Sequence, residues 1–219
     1  MADVWVGVVS AVGRALVTKV PGQLEPQRYA HDRAMRIVRT IDRLVQVISA
    51  NQRPKRVDLV RIAALYACIG LDQNIPKVRT VAPPPVAAQT LDDAAELAAD
   101  QLQNLLPAGD IDLMLRILHE HRTKSPALPE AQLLADAIAL EEVGLVGLWN
   151  QTRAGHAAGK TLEHLVKLWR TQREYGYWES RLRDGFHFEV SRKVASARLA
   201  RMGPIYEEML REHAAEDIE

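Results

Sequence analysis

Histidine and cysteine are the side chains of this chain best suited to bind a metal ion or to take part in proton transfer. The chain has seven histidines and one cysteine among 219 residues. His119 and His121 are two residues apart, so on a helix they point to different faces and cannot both enter one site unless the helix has ended. Cys68 could bind a metal only as a thiolate, which suits zinc and suits magnesium or manganese badly. In an apolar helix, a cysteine more often serves as a small hydrophobic residue.

Arginines of the C-terminal third could bind an anion. Arg192 and Arg198 are the candidates for phosphate contacts. Acidic residues are interleaved with the arginines of this region, so surface salt bridges are the competing interpretation.

The hydrophobic pattern predicts the elements that must position these residues. Apolar residues recur at the helical spacing in every long segment, and no alternating pattern bounded by turn residues indicates a strand. We predict helices over about residues 3–19, 26–49, 57–69, 90–105, 111–121, 130–152, 161–169 and 188–214. In this interpretation Asp110 caps the fifth helix, and Pro204 kinks or restarts the last one. The sequence therefore predicts a single all-α domain.

Composition places the chain among ordinary globular proteins. Its 28 basic and 28 acidic residues balance, which makes nucleic acid an unlikely partner. The N-terminal helix is apolar but carries charges at Asp3 and Arg14, so it indicates neither a secretory signal nor a membrane span. We expect a cytoplasmic protein with no membrane association. The apolar face of Trp5, Val6 and Val9 could pack into the core or form a homo-oligomer contact.

The segment Arg61–Leu71 is almost wholly apolar and predicts a buried central helix with Gly70 at its end. Within it, AALYACIG at residues 63–70 resembles the AALLHDIG pattern of the HD superfamily of metal-dependent phosphohydrolases. Ala67 and Cys68 take the positions of the His-Asp doublet that holds the metal in that family.

Other segments in the same order extend the resemblance over about residues 28–212. The segment RYAHDR at 28–33 is similar to the first histidine region, with either His31 or Met35 in the metal-binding position depending on the register. ILHEH at 117–121 resembles the segment that supplies a further histidine. The stretch 130–144 is similar to EAxIVQDADRLDALG of one bacterial branch, with Asp136 on its metal-binding aspartate. Ala195, Arg198, Met202, Leu210 and Glu212 match its tail.

The resemblance implies a helical bundle of the HD-domain type with a damaged metal pocket. Its segments are an N-terminal helix and linker at 1–25, an HD-like core at 26–152 and C-terminal helices at 153–219. The residual pocket is expected to contain His31, Ala67, Cys68, His121 and Asp136.

The implied function is that of a pseudoenzyme. We predict a degenerate HD-domain protein without two-metal phosphohydrolase activity and without a cofactor, which acts as a binding module for a small phosphorylated ligand or as an interaction module. The alternative is a phosphohydrolase of nucleotides or other phosphate esters with an altered site. In that case His31, His121 and Asp136 would hold a single divalent ion (zinc, iron or manganese).

Overall fold

The computed structural model describes residues 2–17, 28–69 and 88–218, with the side chains of residues 2, 3 and 88–91 excepted. All regular secondary structure in those residues is helical, which confirms the predicted all-α class. The helices are α1 (Ala2–Gly13), α2 (Tyr29–Val47), α3 (Val57–Tyr66), α4 (Ala88–Leu102), α5 (Ala108–Glu120), α6 (Pro129–Leu140), α7 (Leu145–Ala157), α8 (Leu162–Glu174), α9 (Tyr177–Asp184) and α10 (Glu189–His213). None of them is both long enough and apolar enough to cross a bilayer.

Backbone contacts divide the chain into two compact units. Of the described residues, those up to 137 form the first unit, and residues 138–218 form the second. The boundary falls near the end of α6. Residues 138–152, which we predicted to be part of the HD-like core, are therefore grouped with the C-terminal helices.

Helix α3 is the centre of the first unit. It contacts α1, α2, α4 and α5, and every residue from Leu59 to Tyr66 except Arg61 is buried. The predicted burial of this helix is confirmed. Its neighbour α2 presents a stripe of buried residues that includes Ile37, Ile41 and Leu44. Burial of each such side chain contributes about 1.5–3 kcal/mol.

Helix α10 has the corresponding position in the second unit, where it contacts α7, α8 and α9. The core there is aromatic. Trp169 stacks on Tyr206 with ring centroids 3.7 Å apart, and Trp178 lies 6.0 Å from Trp169. The Tyr206 hydroxyl donates to Gln151 Oε1 at 3.0 Å, and burial raises the pKa of Tyr206 to about 12.

Several predicted helix ends in the first unit differ from the structure. Helix α1 ends at Gly13 and not near residue 19, and α3 ends at Tyr66 and not at Ile69. Helix α4 begins at Ala88 and not at residue 90. Pro107, not Asp110, is the N-cap residue of α5. The proline-rich stretch 71–89 also predicts a loop, which is wrong at residues 88 and 89 because they belong to α4. Residues 70–87 and Pro21, the predicted stop of the first helix, lie outside the described residues.

The largest correction concerns the predicted helix at 130–152. It is two helices, α6 and α7, separated at Gly144, whose φ is 85° and ψ is −161°. Only glycine adopts this backbone conformation readily, so the chain turns where the periodicity predicted continuity. The last predicted helix, at 188–214, is confirmed as α10, which runs through Pro204 without restarting.

Candidate functional site

The end of α3 carries the two residues that replace the expected doublet. Ala67 is the C-cap residue, with helical dihedrals, and its N–H donates to the Ala63 carbonyl at 2.8 Å. Cys68 N–H then donates to the Leu65 carbonyl at 3.3 Å, which tightens the last turn. Ala67 is partly exposed and has no donor atom, whereas Cys68 is 1% exposed. Neither position presents a metal ligand to solvent.

Tyr66 anchors this end of α3. Its ring is fully buried, and its hydroxyl donates to Gln101 Oε1 on α4 at 3.0 Å. Burial raises the pKa of the phenol above its ordinary value, so the hydroxyl remains a hydrogen-bond donor at all physiological pH values. Sequence reasoning missed this contact, although a tyrosine inside an otherwise apolar run is a signal that its hydroxyl needs a buried partner.

His31 lies in the first turn of α2. Its side chain is 20% exposed, and Nδ1 is 3.2 Å from Asp32 Oδ1. Met35, the alternative residue for the first histidine motif, is also partly exposed and lies one turn further along the same helix. His31 and Met35, the two alternatives for the metal-binding position, are therefore close together on α2.

His121 is the C-cap residue of α5. Of the predicted metal ligands, it has a ring whose orientation is fixed by a backbone hydrogen bond. Nδ1 is 2.6 Å from the Leu118 carbonyl oxygen. Because a carbonyl only accepts, Nδ1 carries the proton and Nε2 keeps its lone pair. Burial lowers the pKa of His121 to about 4, so the ring is neutral at pH 7. A neutral imidazole held by a backbone carbonyl can accept a hydrogen bond or ligate one ion through Nε2.

This pKa predicts a pH dependence of stability. The imidazole titrates near 6.5 in the unfolded chain and at about 4 in the folded one, so the unfolded chain binds the additional proton in between. This group therefore does not lower the free energy of unfolding above pH 6.5, and it lowers that free energy progressively as the pH falls towards 4. We expect His121→Asn to reduce the difference in free energy of unfolding between pH 7 and pH 4 by about 1–3 kcal/mol. Urea denaturation across this pH range measures the effect.

The exposed residue His156 provides the control. The variant His156→Asn should show the same change in free energy of unfolding between pH 7 and pH 4 as the wild type. An equal change in all three proteins would contradict the prediction.

Asp136 and Glu130 are the buried carboxylates of α6. Asp136 is fully buried, and Glu130 is 7% exposed. Glu130 Oε1 accepts hydrogen bonds from the backbone N–H groups of Lys55 and Arg56, at 2.9 and 3.2 Å. Glu130 therefore ties the start of α6 to the segment that leads into α3.

Arg56 reinforces the same junction. Its guanidinium forms two bonds with Asp110 on α5, at 2.5 and 2.9 Å, and two with Asp58 on α3, at 3.1 and 2.9 Å. The Arg56 guanidinium holds the pKa of both carboxyl groups below their usual range. Asp110, predicted to be a helix cap, thus connects α5 to the start of α3.

The predicted metal ligands do not form a three-ligand centre in the part of the chain that the structure describes. His31, Cys68, His121 and Asp136 all belong to the first unit, yet no three or more His, Cys, Asp or Glu side chains among the described residues are placed to hold an ion. The described residues alone do not fit a two-metal hydrolytic centre, because such a centre requires several ligands around each ion.

The two arginines predicted to bind an anion contact the main chain of the second unit. Arg192 donates to the Leu182 and Phe186 carbonyls, each at 3.0 Å, and so braces the end of α9. Arg198 donates from Nη1 to the Leu140 carbonyl at 2.6 Å. Burial lowers the pKa of Arg198. Some of the N–H donors of each guanidinium are therefore occupied by backbone carbonyls.

No protein-family model matches this chain, and a search of curated proteins found no match. Among solved structures, the chain is similar to the crystal structure of Bacillus subtilis YpgQ in complex with ADP, with a TM-score of 0.55 and 16% sequence identity. The similarity covers 83% of this chain and 87% of the YpgQ chain. At this identity the similarity concerns the fold: this chain and YpgQ share a helical architecture over most of their lengths.

Proposed function

We propose that this protein is a degenerate HD-domain protein that binds a small phosphorylated ligand and does not carry out two-metal hydrolysis. The end of α3 carries the proposal. Helix α3 keeps its place as the buried central helix, but Ala67 has no donor atom and the Cys68 thiol is buried. In this proposal α3 stabilises the core through packing and does not bind metal, because Ala67 and Cys68 stand where the family has its His-Asp doublet.

The ligand class follows from two further observations. The protein with the similar fold, YpgQ, was crystallised with ADP. In this chain, His31 is partly exposed on α2, and His121 offers a neutral imidazole with a lone pair on Nε2. A neutral imidazole suits the hydroxyl or amino groups of a nucleotide as a hydrogen-bond acceptor, and the ring of His31 offers a second polar group on α2.

Calorimetric titration with ADP tests the proposal. We expect protein treated with a chelator to bind ADP with a dissociation constant on the order of micromolar to millimolar. We expect no release of phosphate with or without added zinc, iron, manganese or magnesium. His31→Ala or His121→Ala should weaken binding at least about fivefold, which corresponds to the loss of roughly one hydrogen bond. The matched control His156→Ala, on α7, should bind as the wild type does.

Two results would contradict this function. Absence of ADP binding at millimolar concentration would reject the nucleotide ligand. Metal-dependent release of phosphate that is lost in both His121→Ala and Asp136→Asn would instead establish a phosphohydrolase with an altered metal site.

A further inference from the structure

The outward face of α2 carries three exposed arginines that have no acidic partner among the described residues. Arg39 and Arg43 are exposed one helical turn apart, and Arg28, the N-cap residue, is exposed on the same side three turns earlier. None of the three forms a hydrogen bond or an ion pair through its side chain in the part of the chain that is described. By contrast, Arg61 pairs with Asp42 just beside this face.

This face also has a small apolar end. Val47, one turn after Arg43, is 62% exposed. Asp32, which lies in the first turn on the same side, is exposed as well. A row of cations with one anion and one apolar side chain suits a protein segment of mixed acidic and apolar character. A nucleic acid backbone would be repelled by Asp32 and would gain nothing from Val47.

The segment after α10 has the complementary character. Helix α10 ends at His213, and Glu216, Asp217 and Ile218 follow with exposed side chains. Ile218 is 78% exposed. Neither Glu216 nor Asp217 has a side-chain ion pair with another described residue.

We propose that residues 216–218 of one copy bind the α2 face of a second copy, and that the reciprocal contact closes a two-fold dimer. The carboxylates of Glu216 and Asp217 pair with Arg39 and Arg43, and Ile218 covers Val47. The chain has 28 basic and 28 acidic residues, so two copies approach without net repulsion. Because all these ion pairs lie at the surface, the dimer is weak and dissociates more readily at high salt.

Charge reversal followed by mixing tests the proposal. Sedimentation velocity of the full chain over a range of concentrations gives the dimer dissociation constant. We expect Arg39→Glu/Arg43→Glu to raise it at least about tenfold, and Glu216→Lys/Asp217→Lys to do the same. An equimolar mixture of the two variants should dimerise again, because each reversed face then meets a reversed segment.

The control variant is Arg170→Glu/Arg201→Glu, which makes the same change in charge at exposed positions on α8 and α10 and should dimerise like the wild type. Circular dichroism of each variant verifies that the helices are intact. The proposal is overturned if the wild type is a monomer at all concentrations, if the mixture fails to dimerise, or if the control weakens dimerisation equally. Dimerisation that depends on added nucleic acid would also overturn it.

Discussion

Replacing Gly144 with alanine is expected to lower the free energy of unfolding by about 2–4 kcal/mol. Two costs add at this position. The dihedrals φ 85° and ψ −161° are strained for any residue with a Cβ. In addition, a Cβ built on Gly144 would lie 2.9 Å from Arg198 Cβ, which is closer than non-bonded carbons approach in proteins. Chemical denaturation of the variant measures the loss.

Gly109→Ala is the matched control for this substitution. Gly109 lies in the first turn of α5, and nothing lies within 4 Å of a Cβ built there. The same added methyl group should therefore be neutral or stabilising by up to about 1 kcal/mol, since alanine favours the helix. If the two variants had equal stability, the break between α6 and α7 would not depend on the conformation of Gly144.

Replacing Glu130 with alanine is expected to lower the free energy of unfolding by about 2–4 kcal/mol, because two backbone hydrogen bonds are lost. The substitution leaves the N–H groups of Lys55 and Arg56 without their acceptor at a site where Glu130 itself is 7% exposed. A hydrogen bond to a charged acceptor contributes about 1.5–3 kcal/mol, and the lower end applies to these two because both are only partly buried. Thermal and urea denaturation should both show the loss, and amide exchange should be faster at Lys55 and Arg56.

Glu130→Gln separates the loss of the hydrogen bonds from the loss of the charge. The amide oxygen of glutamine can accept the same two bonds, so we expect this variant to lose only about 1 kcal/mol or less, the difference between a charged and a neutral acceptor. A glutamine variant as unstable as the alanine variant would show that the negative charge, and not the acceptor, stabilises this junction.

The structure confirms several predictions that depend on local periodicity, although not the continuous helix at 130–152. Helix α2 was predicted at about 26–49 and is found at Tyr29–Val47, because a continuous apolar stripe specifies both the period and the buried face. The prediction of α3 as a buried core helix is confirmed for the same reason. Helix ends were less predictable, since the last turn of a helix depends on its neighbours; the end of α3 at Tyr66, next to Gln101 of α4, is an example.

Contacts between distant segments could not be predicted from the sequence. Arg56 meets Asp110 across 54 residues, and the backbone of Lys55 meets Glu130 across 75. The sequence analysis placed both carboxylates in local motifs, Asp110 as a helix cap and Glu130 as the first residue of the stretch 130–144 that resembles a family pattern. One sequence contains no information on which of many charged residues will be brought together by folding.

The sequence by itself determined the all-α class, the buried central helix and the lack of a side-chain donor atom at Ala67, because these depend on residue type and on spacing within one helix. The tertiary structure alone decided the break at Gly144 and the neutral state of His121. The break depends on how closely Arg198 approaches the chain, and the neutral imidazole depends on burial at the end of α5. Both are properties of surroundings assembled from distant residues, which no local pattern records.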